Sequence, residues 1–129
     1  MLKINQIHHI AIICSDYQIS KQFYTNVLAF EVEREVFREA RSSWKLDLKI
    51  AGKYQIELFS FPSPAPRPSR PEAAGLRHLA FEVNDLNEAI LFLSAKNVQT
   101  EPIRVDEFTG KRFTFFADPD GLPLELYEV

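Results

Sequence analysis

The chain has 129 residues, 46% of them hydrophobic, 12% aromatic and 26% charged, with a formal net charge of −3. That size and apolar share predict one compact domain over 1–129 and exclude a disordered chain, while the single cysteine, Cys14, excludes an intrachain disulfide and fits a reducing cytoplasm. With no apolar leader, no uncharged stretch near the roughly 20 residues that span a bilayer and no basic run, the expectation is a soluble, cytoplasmic protein without nucleic-acid or membrane partners.

In chain order, the apolar run Ile7 to Ile13 predicts a buried strand, and Ser15-Asp16 a helix N-cap. A helix over about 16–28 would pack Ile19, Phe23, Tyr24, Val27 and Leu28 on one face. Strand-like runs follow near 30–37, 44–51 and 54–61, with Ala51-Gly52-Lys53 as the turn between the last two. Five prolines between Pro62 and Pro71 exclude helix and central strand and predict a semi-rigid connector.

The pattern then restarts. Leu76 to Val83 predicts a strand, Asp85 with Glu88 a capping box, and Leu86, Ala89, Ile90 and Leu93 the stripe of a second helix. Strands near 98–105, 110–117 and 122–128 follow, with Asp118-Pro119-Asp120-Gly121 as a turn. The halves superpose at a nearly constant offset: 69 residues from His9 to His78 and from Asp16 to Asp85, and 68 from Glu57 to Glu125. Module one is 4–61, the connector 62–73 and module two 74–129, each module reading strand, helix, three strands: an α+β fold of paired βαβββ modules.

Strand alternation puts Ile10 and Ile12 on the face the helix covers and His9 on the other, with Leu79, Phe81 and His78 repeating the arrangement. Glu57 lies between Ile56 and Leu58, and Glu125 between Leu124 and Leu126, so both carboxylates also point away from the helices. A carboxylate within an apolar strand is costly unless it is paired or holds a cation. His9, Glu57, His78 and Glu125 therefore form a candidate site for one divalent metal ion. Two neutral imidazoles and two carboxylates balance a divalent charge and suit Zn, Ni, Co, Mn or Fe better than Ca. A metal with open positions is a Lewis acid, and a carboxylate beside it is a general base. His8 alternates to the helix side or the strand edge and reads as structural.

These motifs carry a family resemblance. His-Ile-Ala-Ile-x-x-x-Asp, Phe-Tyr in the first helix, Ile-Glu-Leu, Arg-His-Leu-Ala-Phe-x-Val-x-Asp and Asp-Pro-Asp-Gly-x-Pro-Leu-Glu-Leu-Tyr resemble the vicinal oxygen chelate superfamily, the glyoxalase/bleomycin-resistance/dioxygenase proteins, over essentially the whole chain. The resemblance is nearest to glyoxalase I-like metalloproteins. It implies a half-barrel of paired modules around the metal, often in a homodimer, with His9, Glu57, His78 and Glu125 at the four ligand positions. Glu57 is diagnostic, because dioxygenases and fosfomycin-resistance transferases resemble a His-His-Glu triad without a ligand at that strand. The resemblance therefore implies a lyase or isomerase of lactoylglutathione lyase type, with Glu57 or Glu125 moving a proton on a small enolisable carbonyl or thioester. Ile13 and Phe61 stand where glyoxalase I carries an arginine and an asparagine for glutathione, so reaction style is implied more firmly than substrate. The alternatives are a non-catalytic, drug-sequestering module of the same fold and, ranked last, an iron-dependent oxygenase.

Arg38, Arg41 and Lys45 flank Trp44, and Arg112 follows Lys111; these charges are either an anion clamp or solvated side chains beside a core tryptophan. Arg38, Trp44, Phe61 and Arg112 are the candidate substrate contacts. Arg67, Arg70 and Arg77 border the connector and read as a solvated loop. Phe59, Phe61, Phe113 and Phe115 read as packing or pocket wall, and Cys14 as a small buried hydrophobe.

Overall fold

A computed structural model describes all residues 1–129, which divide into two compact units, Met1–Pro66 and Arg67–Val129. The boundary falls inside the proline-rich connector, which has neither helix nor strand.

The first unit runs β1 (Ile10–Cys14), α1 (Tyr17–Gln22), β2 (Glu31–Arg38), β3 (Ser43–Ile50) and β4 (Lys53–Ser60). Its sheet has the order β1-β4-β3-β2, parallel between β1 and β4 and antiparallel elsewhere. The second unit repeats this with β5 (Leu79–Val83), α2 (Leu86–Ala95), β6 (Arg104–Val105), β7 (Arg112–Ala117) and β8 (Pro123–Glu128), in the order β5-β8-β7-β6. The architecture is therefore the α+β, twice-repeated βαβββ arrangement expected from the sequence.

Local chemistry accounts for the boundaries. Asp16 and Asp85 cap the two helices, their carboxylates accepting from the backbone N–H of Ile19 at 3.1 Å and of Glu88 at 3.0 Å. Ala51 and Gly52 both take positive φ, 50° and 79°, as a two-residue turn matched to strand twist demands. Asp118 Oδ1 accepts from the backbone N–H groups of Asp120 and Leu122, each at 2.9 Å, and Gly121 supplies the left-handed φ of 82° that closes the turn.

Four expectations are corrected. The first helix does not stay α-helical to residue 28: after Gln22 it continues as a π-helical turn, Phe23–Val27, closed by the Leu28 N–H on the Phe23 carbonyl at 3.0 Å. The buried stripe is Tyr17, Ser20, Phe23 and Tyr24. Ile19 falls outside the face that Tyr17, Ser20 and Tyr24 share at helical spacing and is 57% exposed. The strand expected over 98–105 shrinks to Arg104–Val105, because Pro102 has no N–H to continue the ladder that the Glu101 N–H begins on the Phe115 carbonyl. His9 and His78 each stand one residue ahead of β1 and β5 rather than inside the strands.

The faces follow the alternation. In the first unit Ile12, Cys14, Leu46, Leu48, Ile56 and Leu58 are buried on the side of Tyr17 and Tyr24. In the second, Thr114, Phe116, Leu124 and Leu126 are buried with Leu86 and Leu93 of α2. Exposed Ala11, Ile13, Ala80 and Glu82 mark the opposite faces of the two edge strands. No helix is long and apolar enough to cross a membrane.

Candidate metal centre

Each unit brings one histidine and one glutamate together by the same device. Parallel pairing sets Ala11 beside Glu57 and Ala80 beside Glu125. His9 and His78 lie two residues before those alanines and so project from the same face as the carboxylates. His9 Nε2 stands 3.5 Å from Glu57 Oε2, and His78 Nε2 stands 3.0 Å from Glu125 Oε2. Glu57 is only 9% exposed although it sits between two core residues, Ile56 and Leu58.

The orientation of His9 has a second source that the sequence did not disclose. Its Nδ1 lies 2.9 Å from Nδ1 of His8, so one ring donates to the other and Nε2 of His9 is left facing Glu57. His8, read as structural from alternation, is thus the neighbour that turns the candidate ligand. Both rings also contact Tyr54, with centroids 5.7 and 6.1 Å away.

The carboxylates differ in their surroundings. Tyr54 donates its phenol to Glu57. Burial first, then that hydrogen bond and the charges of Asp47 and Glu57, push the Tyr54 phenol above its ordinary range, so it stays a donor. Across the sheet the register partner of Glu57 is Asp47, 1% exposed, which takes Lys45 Nζ at 2.5 Å and Arg34 Nη2 at 3.0 Å. Burial alone would raise the Asp47 carboxyl, but hydrogen bonds from Lys45, Arg34 and Tyr54 together with the Lys45 charge hold it below its usual value. Lys45 Nζ also reaches within 3.6 Å of Glu57, so the ammonium bridges the two carboxylates. The register partner of Glu125 is Phe115, whose ring stands edge-on to His78 at 5.0 Å. One pair sits in a charged nest and the other against an aromatic wall.

The four candidate substrate contacts separate. Arg38 and Phe61 lie on the Glu57 face: the Arg38 guanidinium covers Phe59 at 4.9 Å and Phe61 at 5.8 Å, and Arg41 covers Phe61 at 5.6 Å. Arg38 donates to Ser43 Oγ at 3.0 Å, while its Nε is buried without a partner. Trp44 instead shares the parity of Leu46 and Leu48 and stacks on Tyr17 at 5.1 Å, on the helix-covered face. Arg112 shares the parity of Thr114 and Phe116 and grips Glu128 through Nε at 2.9 Å and Nη2 at 2.8 Å. Glu128 in turn accepts the Leu86 N–H at the start of α2. Trp44 and Arg112 therefore lie on the faces opposite the histidines of their own units.

Neither unit by itself gathers a cluster of three or more metal-binding side chains. Each supplies one imidazole and one carboxylate, a donor chemistry that fits a borderline divalent ion. The Glu57 carboxylate, already steadied by Tyr54 and the Lys45 ammonium, also faces an imidazole nitrogen, as a ligand shared with a metal ion would.

Comparison with known proteins places the chain among characterised folds. A family model described as the Glyoxalase/Bleomycin resistance protein/Dioxygenase superfamily matches residues 6–126. The chain is 63% identical over 128 residues to the YaeR protein of Escherichia coli (strain K12), covering 99% of each, and 63% identical over 125 residues to YwkD of Bacillus subtilis (strain 168), covering 97% of this chain and 98% of that one. A 2-epi-5-epi-valiolone epimerase of Actinomyces sp is 28% identical over 95% of this chain and 79% of its own. Among solved structures, a glyoxalase family protein from Enterococcus faecalis superposes with a TM-score of 0.89 at 54% identity, covering 95% of this chain and 97% of that one. The fosfomycin resistance protein FosX of Listeria monocytogenes, complexed with Mn(II) and sulfate, shares the fold at 22% identity with a TM-score of 0.74, over 98% of this chain and 94% of its own.

Proposed function

From a chain that belongs to the Glyoxalase/Bleomycin resistance protein/Dioxygenase superfamily, we infer a divalent-metal-dependent lyase or isomerase of the glyoxalase I type, acting on a small enolisable carbonyl or thioester. The observation that carries the reading is the recurrence of one His–Glu pair at one register position in two separately packed units. His9 and Glu57 with His78 and Glu125 would hold one Zn, Ni, Co or Mn ion, the two pairs meeting within a chain or across two copies in a homodimer. When bound, the ion supplies Lewis acidity that makes a proton beside a carbonyl easier to remove.

The chain's own residues do the rest. His8 holds His9 with Nε2 presented. Glu57 or Glu125 takes the proton from the substrate carbon on a carboxylate oxygen and returns it to the same or the adjacent carbon. Tyr54 and Lys45 steady Glu57 by hydrogen bond and charge. Phe59 and Phe61, stacked at 6.1 Å between ring centroids, offer an apolar wall. The relative named as an epimerase is compatible with an isomerase reading.

The test is solvent exchange. Metal-loaded protein in D2O is incubated with a panel of α-hydroxycarbonyls, thiohemiacetals and acyl thioesters and followed by proton NMR. The expected result is deuterium incorporation beside the carbonyl of one panel member, reduced at least about 100-fold by Glu57→Gln or Glu125→Gln. Full exchange in both variants would overturn the proton-transfer role.

A further inference from the structure

The second unit contains a cavity of about 230 Å³ that opens beside His78 and whose arginine-lined rim has no part in the proton transfer. Its wall carries four guanidinium groups, Arg67, Arg70, Arg77 and Arg104, against two carboxylates, Glu72 and Glu101, a net charge of +2. In a chain whose own net charge is −3, that concentration of positive charge is local. His78, Phe115 and Pro123 complete the part of the wall nearest the candidate ligands.

The arginines are not equivalent. Arg67 is committed to the backbone, donating to the carbonyls of Leu76 at 2.6 Å and Arg77 at 3.0 Å and to Ser69 Oγ at 2.8 Å, so it folds the connector into the rim. Arg77 is committed to Glu72, its Nε and Nη2 on one carboxylate oxygen at 3.1 and 2.8 Å. Arg104 spends one nitrogen on Glu101 at 3.1 Å and lies over Phe113 and Phe115 at 5.2 and 5.4 Å, an orientation that fixes its plane and leaves its other donors free. Arg70 has no hydrogen-bond or ion-pair partner. A rim held in place by Arg67 thus presents two guanidiniums with unused donors to a small cavity floored by an aromatic ring.

We propose that this cavity is a binding site for a small oxyanion, a carboxylate or phosphoryl group, gripped by Arg70 and Arg104. The planar fork of each guanidinium matches the oxygens of either group, and because both side chains are exposed the grip rests on that fork geometry and on the convergence of positive charge. Resting on the metal-enzyme reading for its link to catalysis, the proposal makes the substrate an anion whose charged end lies beside His78 and whose reactive carbon reaches the His78–Glu125 pair.

The test uses full-length, metal-free protein, so that binding is judged apart from metal content and turnover. Inorganic phosphate and malonate are titrated separately at low ionic strength while amide shifts are followed by heteronuclear NMR. The expected result is a saturable shift of the Ser69, Arg70, Arg104 and Phe115 amides with at least one anion, weakened about tenfold or more in Arg70→Gln and in Arg104→Gln. The Lys96→Gln control, which removes one positive charge from the end of α2, is expected to leave it unchanged. The anion that binds tighter identifies the group as phosphoryl or carboxylate. No saturable shift with either anion, or equal affinity in the arginine variants and Lys96→Gln, would overturn the proposal. If the anion binds but solvent exchange fails, the enzymatic reading falls and the site stands.

Discussion

Replacing Lys45 by Met removes the ammonium that bridges Asp47 at 2.5 Å and Glu57 at 3.6 Å while keeping the aliphatic stem. The side chain of Asp47 is 1% exposed, so the loss leaves a buried carboxylate with Arg34 as its remaining cation at 3.0 Å. Breaking a buried pair on one side costs about 3–5 kcal/mol, and the retained Arg34 lowers the expectation to about 2–3 kcal/mol at pH 7. The sign with pH is fixed by the wild-type Asp47 carboxyl lying below its usual value. Its ionised form stabilises the fold above the unfolded carboxyl range near pH 4, and that contribution is lost as pH falls through the lower folded value. Without Lys45 burial prevails, the carboxyl rises, and the variant's deficit is largest near neutrality and shrinks on acidification. Urea unfolding of both proteins between pH 7 and pH 3.5 measures it. A deficit below about 0.5 kcal/mol at pH 7, or one that does not shrink with acid, would refute the electrostatic reasoning.

Asp118→Ala strands the backbone N–H groups of Asp120 and Leu122 in a nearly buried turn. It is expected to cost about 1–3 kcal/mol by urea unfolding, and an unchanged midpoint would refute that assignment. Glu128 is held at about 2 by hydrogen bonds from Arg112 and from the Leu86 N–H. Its contribution is therefore present above the ordinary carboxylate range and lost only as pH falls through about 2; carbon NMR of the carboxyl is expected to show that midpoint, and to move it upward in Arg112→Gln.

The repeat, the two capped helices and the facing of the four candidate ligands were legible because they rest on short-range rules. Asp16 and Asp85 carry their caps with them, and strand parity alone assigns His9, Glu57, His78 and Glu125 to faces free of helix. The nest around Glu57 was not legible, because bringing Asp47 and Lys45 beside it depends on the β3–β4 register, which shifts between Leu48 and Lys49. Trp44 was grouped with Arg38 as a neighbour in sequence, whereas its parity with Leu46 and Leu48 sends it to Tyr17. Arg112 likewise follows Thr114 to the covered face, where Glu128 meets it. Ile19 was placed in the core from its spacing to Phe23, whereas Tyr17, Ser20 and Tyr24 form the buried face, and the π-helical turn at Phe23–Val27 is not signalled by any residue of the sequence. The role of Arg67 as a brace and the freedom of Arg70 emerge only when the connector's path is known.

Metal content per chain decides whether the repeated His–Glu pairs hold one divalent ion. Tag-free protein purified without chelator is measured by inductively coupled plasma mass spectrometry beside His9→Ala and His78→Ala variants. The account predicts close to one Ni, Zn, Co or Mn per four-ligand set in the wild type and loss of that metal in both variants, since either pair alone is half a site. No metal in the wild type after reconstitution with each ion, or undiminished metal in both variants, would contradict it.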